Sequence, residues 1–453
     1  MLPLNKTPNK VRSQFATKTG VIAATVGSAV GLGNIWRFPY ETGEHGGSAF
    51  LIIYMACVLL IGIPVMVAEF SIGRSTHKNA FAAFDALRRN TPFRYVAYMG
   101  IVASLMILSF YSVVAGWIIE YLYQAIIGLF SAHDPESYAD MFASFISNPY
   151  RSVLWTLIFL TLNFLVLRRG VEKGIERISN ILMPFLFIIL IIFCINSLMM
   201  PAAEEGLRFL FHPDFSEVDS GVVISAMGQA FFSLSLGLTC LLTYASYFSD
   251  DTPIVRSAAI ICLLDMLVAV MAGVMIFPAV FSYGLTPEAG PKLVFETLPS
   301  IFAQMPGGHV WFVAFFLLLF FASITSTISM SEISITFFIE EYKMPRQKAT
   351  IVNTLIAVVF GVLCALSFGV MSDVKIFGMT VFDLFDYISS NILLPLGGIL
   401  ISVFVGWVLD KRFLRDEITN HGQLYTPLVT PIRICIRYVA PIAIAIIFIY
   451  GLI

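Results

Sequence analysis

Apolar runs of roughly 20 residues recur along this chain, the length an α-helix needs to cross the hydrocarbon core of a bilayer. That feature confines the fold more than any other. Inside lipid every backbone N–H and C=O must find a partner within the protein, so runs of this length are read as spanning helices. The chain of 453 residues is 58% hydrophobic and 12% charged, with a mean hydropathy of +0.86. A soluble domain carries about twice that charged fraction. The fold class is therefore an all-α polytopic membrane protein, with lipid as its surroundings. A net charge of −2 argues against a nucleic-acid partner. The six cysteines (Cys57, Cys194, Cys240, Cys262, Cys364, Cys435) lie in or beside apolar runs, at neither zinc nor disulfide spacing. They read as small buried side chains. The opening MLPLNKTPNKVRSQFATK has no short apolar core or cleavage site, so no removable signal peptide is expected.

The hydropathy pattern predicts eleven transmembrane helices, at about 19–43, 48–72, 95–128, 152–168, 175–199, 221–247, 256–283, 309–339, 349–370, 377–409 and 432–453. Positive residues decide the orientation. With the N-terminus inside, the cytoplasmic segments collect Arg74, Lys78, Arg88, Arg89 and Arg94, then Arg168, Arg169, Lys173 and Arg177, then Lys411, Arg412 and Arg415. The other side holds only Arg151, Arg208, Lys292 and Lys375, with Arg37 near an outer helix end. The expectation is a cytoplasmic N-terminus and an outside C-terminus.

Two spans are interrupted. Residues 27–34 read GSAVGLGN, three glycines and an asparagine in mid-membrane. Residues 229–239 read QAFFSLSLGLT, with a glycine, three hydroxyls and an amide. Spans 1 and 6 lie five apart and run in opposite directions. This predicts a 5+5 inverted repeat with broken helices 1 and 6 and a site at the midplane. The segments are a cytoplasmic stretch 1–18, a first repeat 19–199, a connection 200–220, a second repeat 221–409, a loop 410–431 and a last span 432–453. Unwinding frees N–H groups that suit a carboxylate and C=O groups that suit Na⁺. Glycine lets a ligand approach the backbone, and Asn34 adds an amide oxygen. Residues 322–331, ASITSTISMS, add six hydroxyls within nine residues, a candidate polar wall. Asp265, Glu69 and Glu332 are intramembrane carboxylates, and Arg37 and Asp386 are placed to pair across an outer vestibule. Glu69 and Glu332 are read as structural hydrogen-bonding groups.

These segments resemble the neurotransmitter:sodium symporter family over nearly the whole chain, in the style of its bacterial eleven-span amino acid transporters. The resemblance rests on GSAVGLGNIWRFPYETGEHGGSAFLIIY (27–54), KGIER (173–177), GQAFFSLSLG (228–237), LTYASY (242–247) and FFASITSTIS (320–329). It implies Na⁺-coupled import of hydrophobic L-amino acids by alternating access, in a bacterial inner membrane, and no enzymatic activity. Two Na⁺ ions are implied. One would be held by Ala29, Asn34, Ser233 and Asp265 with the substrate carboxylate, the other by Gly27, Val30, Ala322, Thr325 and Ser326. The amides of Leu32 and Gly33 with the Tyr111 hydroxyl would hold the carboxylate, with Ala29 and Gly31 beside them. Carbonyls near Phe232 and Ser235 would take the ammonium. Ile107, Phe232, Leu238, Ser329 and Met330 would enclose the side chain. Arg37 and Asp386 would form the outer gate, and Arg12, Glu340 and Tyr247 the inner one. Gly174 and Pro184 match a pattern linked in some members to unwinding of span 5.

Two departures refine this. Monoamine members carry aspartate where Gly31 stands, so here the substrate must bring its own carboxylate. Members that use chloride hold it partly with a serine in span 7. Ala269 stands at that position here and Asp265 lies one turn before it, so no chloride requirement is expected. Asp265 is also a candidate carrier of a returning proton. Two other readings remain at this stage, a non-transporting amino acid sensor on the same scaffold and a proton-coupled carrier.

Overall fold

The computed structural model describes residues 15–129, 135–216, 218–285 and 292–452. Helix follows helix, with no strand among the described residues. The first helix, α1 (Lys18–Ala29), starts where the Thr17 side chain accepts a hydrogen bond from the Gly20 N–H. After a break it resumes as α2 (Gly33–Glu44), bent by 53°. Next come α3 (Ser48–Thr76), α4 (Arg94–Ile126), α5 (Pro149–Leu167) and α6 (Val171–Leu198). Then follow the short α7 (Ser220–Ser233) and α8 (Cys240–Ala245). The series ends with α9 (Ile254–Ser282), α10 (Gly308–Glu341), α11 (Arg346–Leu366), α12 (Val381–Val408) and α13 (Val429–Tyr450).

Among the described residues nine helices are long and apolar enough to cross a membrane, or ten with the bent α1–α2 pair taken as one. The span expected at 221–247 is no single helix. It is divided into α7 and α8, each shorter than the membrane is thick, because residues 234–239 leave the helical path. The expected break in span 1 is present, at Val30 and Gly31. Gly174 and Pro184, matched to an unwinding pattern, both lie in helix here; α6 runs on from a wider π-helical turn at Val171–Glu176 through Pro184.

Each break is stabilised by groups from outside its own helix. Between α7 and α8, Ser235, Gly237 and Thr239 all have positive φ, at 53°, 79° and 61°. The Gly237 N–H donates to Glu69 Oε1 of α3 at 2.8 Å, and the Leu242 N–H donates to Oε2 at 3.3 Å. These are the donors orphaned where a helix restarts, and a buried carboxylate satisfies both. Glu69 thus takes the structural role expected of it. Gly237 is also crowded: a Cβ there would lie 2.3 Å from Leu394 O and 2.7 Å from Gly398 N of α12.

The two breaks face each other. Gln229 Nε2 of α7 donates to Gly33 O at 2.9 Å, and Ser235 Oγ lies 3.5 Å from Ser28 O. Helices α4, α9 and α10 close the sides through Tyr111, Asp265 and Ser326. Gly237→Ala therefore meets a left-handed backbone penalty of about 1–2 kcal/mol and a clash with α12. A lowered melting temperature of the detergent-purified protein is expected, and a melt equal to that of the unsubstituted chain would contradict this account of the break.

Candidate substrate and sodium site

Between the breaks lies a small cavity of about 30 Å³. Its lining joins Ser28, Ala29, Gly31, Leu32 and Gly33 of the first break to Phe232, Ser233, Ser235 and Leu238 of the second. Ile107 and Tyr111 of α4, Ser326 and Met330 of α10, and Leu394 of α12 complete it. Among the described residues no charged side chain lines it. Gly31 is needed for closeness, since a Cβ would stand 2.8 Å from Ser326 Oγ and 3.2 Å from the Tyr111 hydroxyl oxygen. The Leu32 N–H, freed by the break, donates to that Tyr111 oxygen at 3.1 Å. Amide and phenol thus meet at the place expected for a carboxylate.

Of the residues expected in this pocket, Ser329 is turned away. Its hydroxyl donates to Ser326 O at 2.6 Å and accepts from Ser28 Oγ at 2.9 Å, behind the lining. The helix explains it: Met330 lies about 40° from Ser326 around the axis and Ser329 about 60° to the other side. Ser28 and Leu394 line the cavity and were not expected. Leu394 sits in an ordinary apolar run with nothing to mark it, whereas Ser28 lay within the quoted GSAVGLGN.

Asn34, Ser233 and Asp265 converge beside the cavity. Asn34 Nδ2 donates to Asp265 Oδ1 at 2.8 Å and to Ser233 Oγ at 2.9 Å, and Ser233 Oγ donates to Asp265 Oδ2 at 2.8 Å. The Tyr54 hydroxyl lies 3.5 Å from Asp265 Oδ2, a neighbour the sequence did not single out. Asn34 was expected to offer oxygen here, and it presents nitrogen instead. Its Oδ1 turns to accept the Gly31 N–H at 3.0 Å. The carboxylate attracts the NH₂ end and the freed backbone donor attracts the oxygen.

On the other side of α1, Ser326 Oγ donates to Val30 O at 3.3 Å. Thr325 Oγ1 bonds back to Phe321 O at 2.9 Å and Ala322 O at 3.2 Å. A Cβ on Gly27 would touch Thr325 Cβ at 3.2 Å. Gly27 and Val30 of the first break thus meet Thr325 and Ser326 along one seam between α1 and α10, and neutral oxygens are the donors that suit a small hard cation.

Next to it opens a vestibule of about 500 Å³, which shares Leu32, Gly33, Tyr111 and Phe232 with the cavity. Arg37, Glu41 and Asp386 line it. Arg37 and Asp386 are not paired. Arg37 Nε lies 3.1 Å from Glu41 Oε1, one turn along α2, and Asp386 accepts from Ser390 Oγ at 2.8 Å.

The opposite end is closed. The Tyr247 hydroxyl donates to Glu332 Oε1 at 2.7 Å, and Arg346 clamps both oxygens of Glu332 at 2.9 and 2.7 Å. Phe15 lies edge-on to Tyr244 and Tyr247, and its N–H donates to Tyr247 O at 3.3 Å. Glu176 accepts from the Ala16 and Thr17 N–H groups, at 2.8 and 3.2 Å, and ties the start of α1 to α6. Glu340 accepts from Asn79 N at 2.8 Å and Nδ2 at 2.9 Å. Arg12, the expected cation of this gate, lies outside the described residues.

The model of the sodium:neurotransmitter symporter family matches residues 12–133 and 145–453. This chain belongs to that family. As a symporter-family member it is an integral membrane transporter of the sodium-dependent type. An uncharacterized sodium-dependent transporter of Bacillus subtilis, YhdH, is 39% identical over 96% of both chains. One of Haemophilus influenzae is 34% identical over 98% of this chain and 99% of its own. Among solved structures, that of MhsT in complex with L-phenylalanine superposes with a TM-score of 0.90 at 42% identity, covering 97% of this chain and all of the other. The symporter's sodium dependence gives the α1–α10 seam a direct test. Thr325→Val with Ser326→Ala should remove the rise in melting temperature that Na⁺ produces relative to K⁺, because a ligand that binds only the folded state stabilises it. An unchanged Na⁺ shift in the double variant would clear these hydroxyls of the role.

Proposed function

We propose that this symporter imports hydrophobic L-amino acids with two Na⁺ ions by alternating access, across a bacterial inner membrane with its N-terminus inside. In this reading α1–α2 and α7–α8 each make one span, giving eleven, and 19–199 and 221–409 are inverted repeats. The observation that carries it is the cavity between the breaks: backbone and hydroxyl at one side, Ile107, Leu238, Met330 and Leu394 at the other, and no charged lining. A zwitterion fits such a space end by end. Its carboxylate takes the Leu32 and Gly33 N–H groups and the Tyr111 hydroxyl, and its ammonium takes carbonyls near Phe232 and Ser235. Its side chain must be apolar, since a buried charge would meet no counter-ion. The L-phenylalanine in the MhsT structure supports the same substrate class.

Ala29, Asn34, Ser233 and Asp265 hold the first sodium with the substrate carboxylate, and the α1–α10 seam holds the second. Binding of the first requires the Asn34 amide to turn its oxygen inward. Phe232 covers the substrate, and Arg37 with Asp386 closes the pathway above it. Arg12, Glu340 and Tyr247 form the inner gate, and Gly174 and Pro184 mark where α6 loosens when that gate opens. In proteoliposomes, uptake of labelled leucine or phenylalanine should require an inward Na⁺ gradient. Other aliphatic and aromatic amino acids should compete, because Met and Leu walls repack, and aspartate, glutamate, lysine and arginine should not. Uptake without a Na⁺ gradient, or strong inhibition by lysine or glutamate, would refute the assignment.

Asp265 supplies a fixed negative charge beside the first sodium, the part played by chloride in chloride-dependent members. When sodium and substrate leave, the same carboxylate carries a proton back. Replacing chloride by gluconate should leave transport by the native chain unchanged. Asp265→Ser should lower it, with chloride restoring part, and Asp265→Asn should lose the dependence of exchange on internal pH. Chloride-dependent uptake by the native protein would end the fixed-anion reading, and a retained pH dependence in Asp265→Asn would end proton return alone.

A further inference from the structure

Glu41 is placed oddly for a residue that only decorates a helix. It is 6% exposed, at the rim of the vestibule. One oxygen, Oε1, takes the Arg37 guanidinium at 3.1 Å. The other, Oε2, accepts from the Ser225 hydroxyl of α7 and lies 3.5 Å from His45 Nε2. An ordinary i,i+4 pair on a helix surface is solvated on all sides and contributes little. Here one buried carboxylate gathers a cation, a hydroxyl and an imidazole from two helices.

Arg37 is the more exposed member. Its side chain is 37% exposed, and its guanidinium rests over the Phe232 ring at 4.7 Å from the centroid. Asp386 borders the same vestibule from α12 and is held by Ser390 at 2.8 Å. Among the described residues no ion pair joins it to Arg37. Arg37 thus shares one vestibule with Glu41 of its own helix and with Asp383 and Asp386 of α12, and of these it is Glu41 that engages it.

We propose that Glu41 is the open-state partner of Arg37. It is a positioning residue that keeps the guanidinium on its own helix until α12 approaches, then hands it to Asp386 as the outer pathway closes. The inference rests on the reading of Arg37 and Asp386 as the outer gate. Exchange between two anions keeps the cation paired in both states, so closure never passes through an unpaired buried charge. Closure is then governed by the difference between two pairs rather than by the formation of one. Arg37 leaves Phe232 in the same movement.

The test is thiol labelling of a cysteine introduced at Ile146, which lines the vestibule, in the full chain in proteoliposomes. The same protein without that substitution gives the background. In native protein, Na⁺ with leucine should slow labelling. If it does not, the gate reading itself fails, whatever Glu41 does. Glu41→Gln should slow labelling in Na⁺ alone by about three- to fivefold, the range of a partly exposed ion pair, because nothing then holds Arg37 back from Asp386. Adding Asp386→Asn should restore the fast rate. Simple loss of packing around Ser225 would open the vestibule and speed labelling, so the sign separates positioning from scaffolding. If Glu41→Gln does not fold, Glu41→Asp keeps the charge with a shorter reach and should shift labelling in the same direction. A native or faster rate in a folded Glu41 variant, or slow labelling that Asp386→Asn does not reverse, overturns the proposal.

Discussion

Hydrocarbon gives an unpaired backbone group nothing to bond with, and this fold departs from helix at two points inside it. Everything central to the molecule follows from how those freed groups are satisfied. Glu69 takes two N–H groups where α8 restarts. Tyr111 and the Asn34 amide oxygen take the N–H groups of Leu32 and Gly31. Gln229 reaches across to Gly33 O. The partners come from α3, α4, α7 and α2, so the breaks are defined by the bundle and not by their own sequence alone. They are also exchangeable partners, side-chain oxygens and amides that a small zwitterion or a cation can replace one for one. A transport site built from backbone must have this property, since the same groups must be content with and without cargo.

The charged groups divide the molecule along its axis. At the centre Asp265 is surrounded by neutral donors, Asn34, Ser233 and Tyr54. At the closed end Glu332 is fixed twice by Arg346 and once by Tyr247. A doubly held carboxylate resists change, whereas one held only by weak neutral donors accepts a new counter-ion readily. That contrast bears on the proton-coupled alternative: Glu332 already has its cation and is poorly suited to carry a proton, whereas Asp265 is held by neutral donors alone.

Much of this was legible in the chain. Three glycines and an asparagine in mid-membrane announced the first break, and Asp265 stood out because few carboxylates occur at such depth. What could not be read depends on angles and on distant neighbours. The hydroxyl run of α10 looked like one wall, yet helical rotation sends it three ways: Ser326 to the cavity, Ser329 to Ser28, and Thr327 to Asn163, whose Nδ2 lies at 2.6 Å. Arg37 was matched to Asp386 across the vestibule, and Glu41, a turn away on the same helix, was not singled out. The glycine and hydroxyls of 229–239 did point to an interruption there, and residues 234–239 leave the helical path. Tyr54 and Leu394 carried no local mark at all, being an aromatic and an aliphatic residue among many.

The ring of Phe232 borders the cavity on one face and the vestibule on the other. The two spaces are therefore not independent volumes. Any rotation that enlarges one must shrink the other, as a swinging door divides two rooms. Wetting of the vestibule and escape from the cavity then share a single torsion, and a side chain that props the ring aside also admits water to its own binding place. On the proposed reading, the bulk of the cargo is then read twice, once by the walls that hold it and once by the door that shuts behind it.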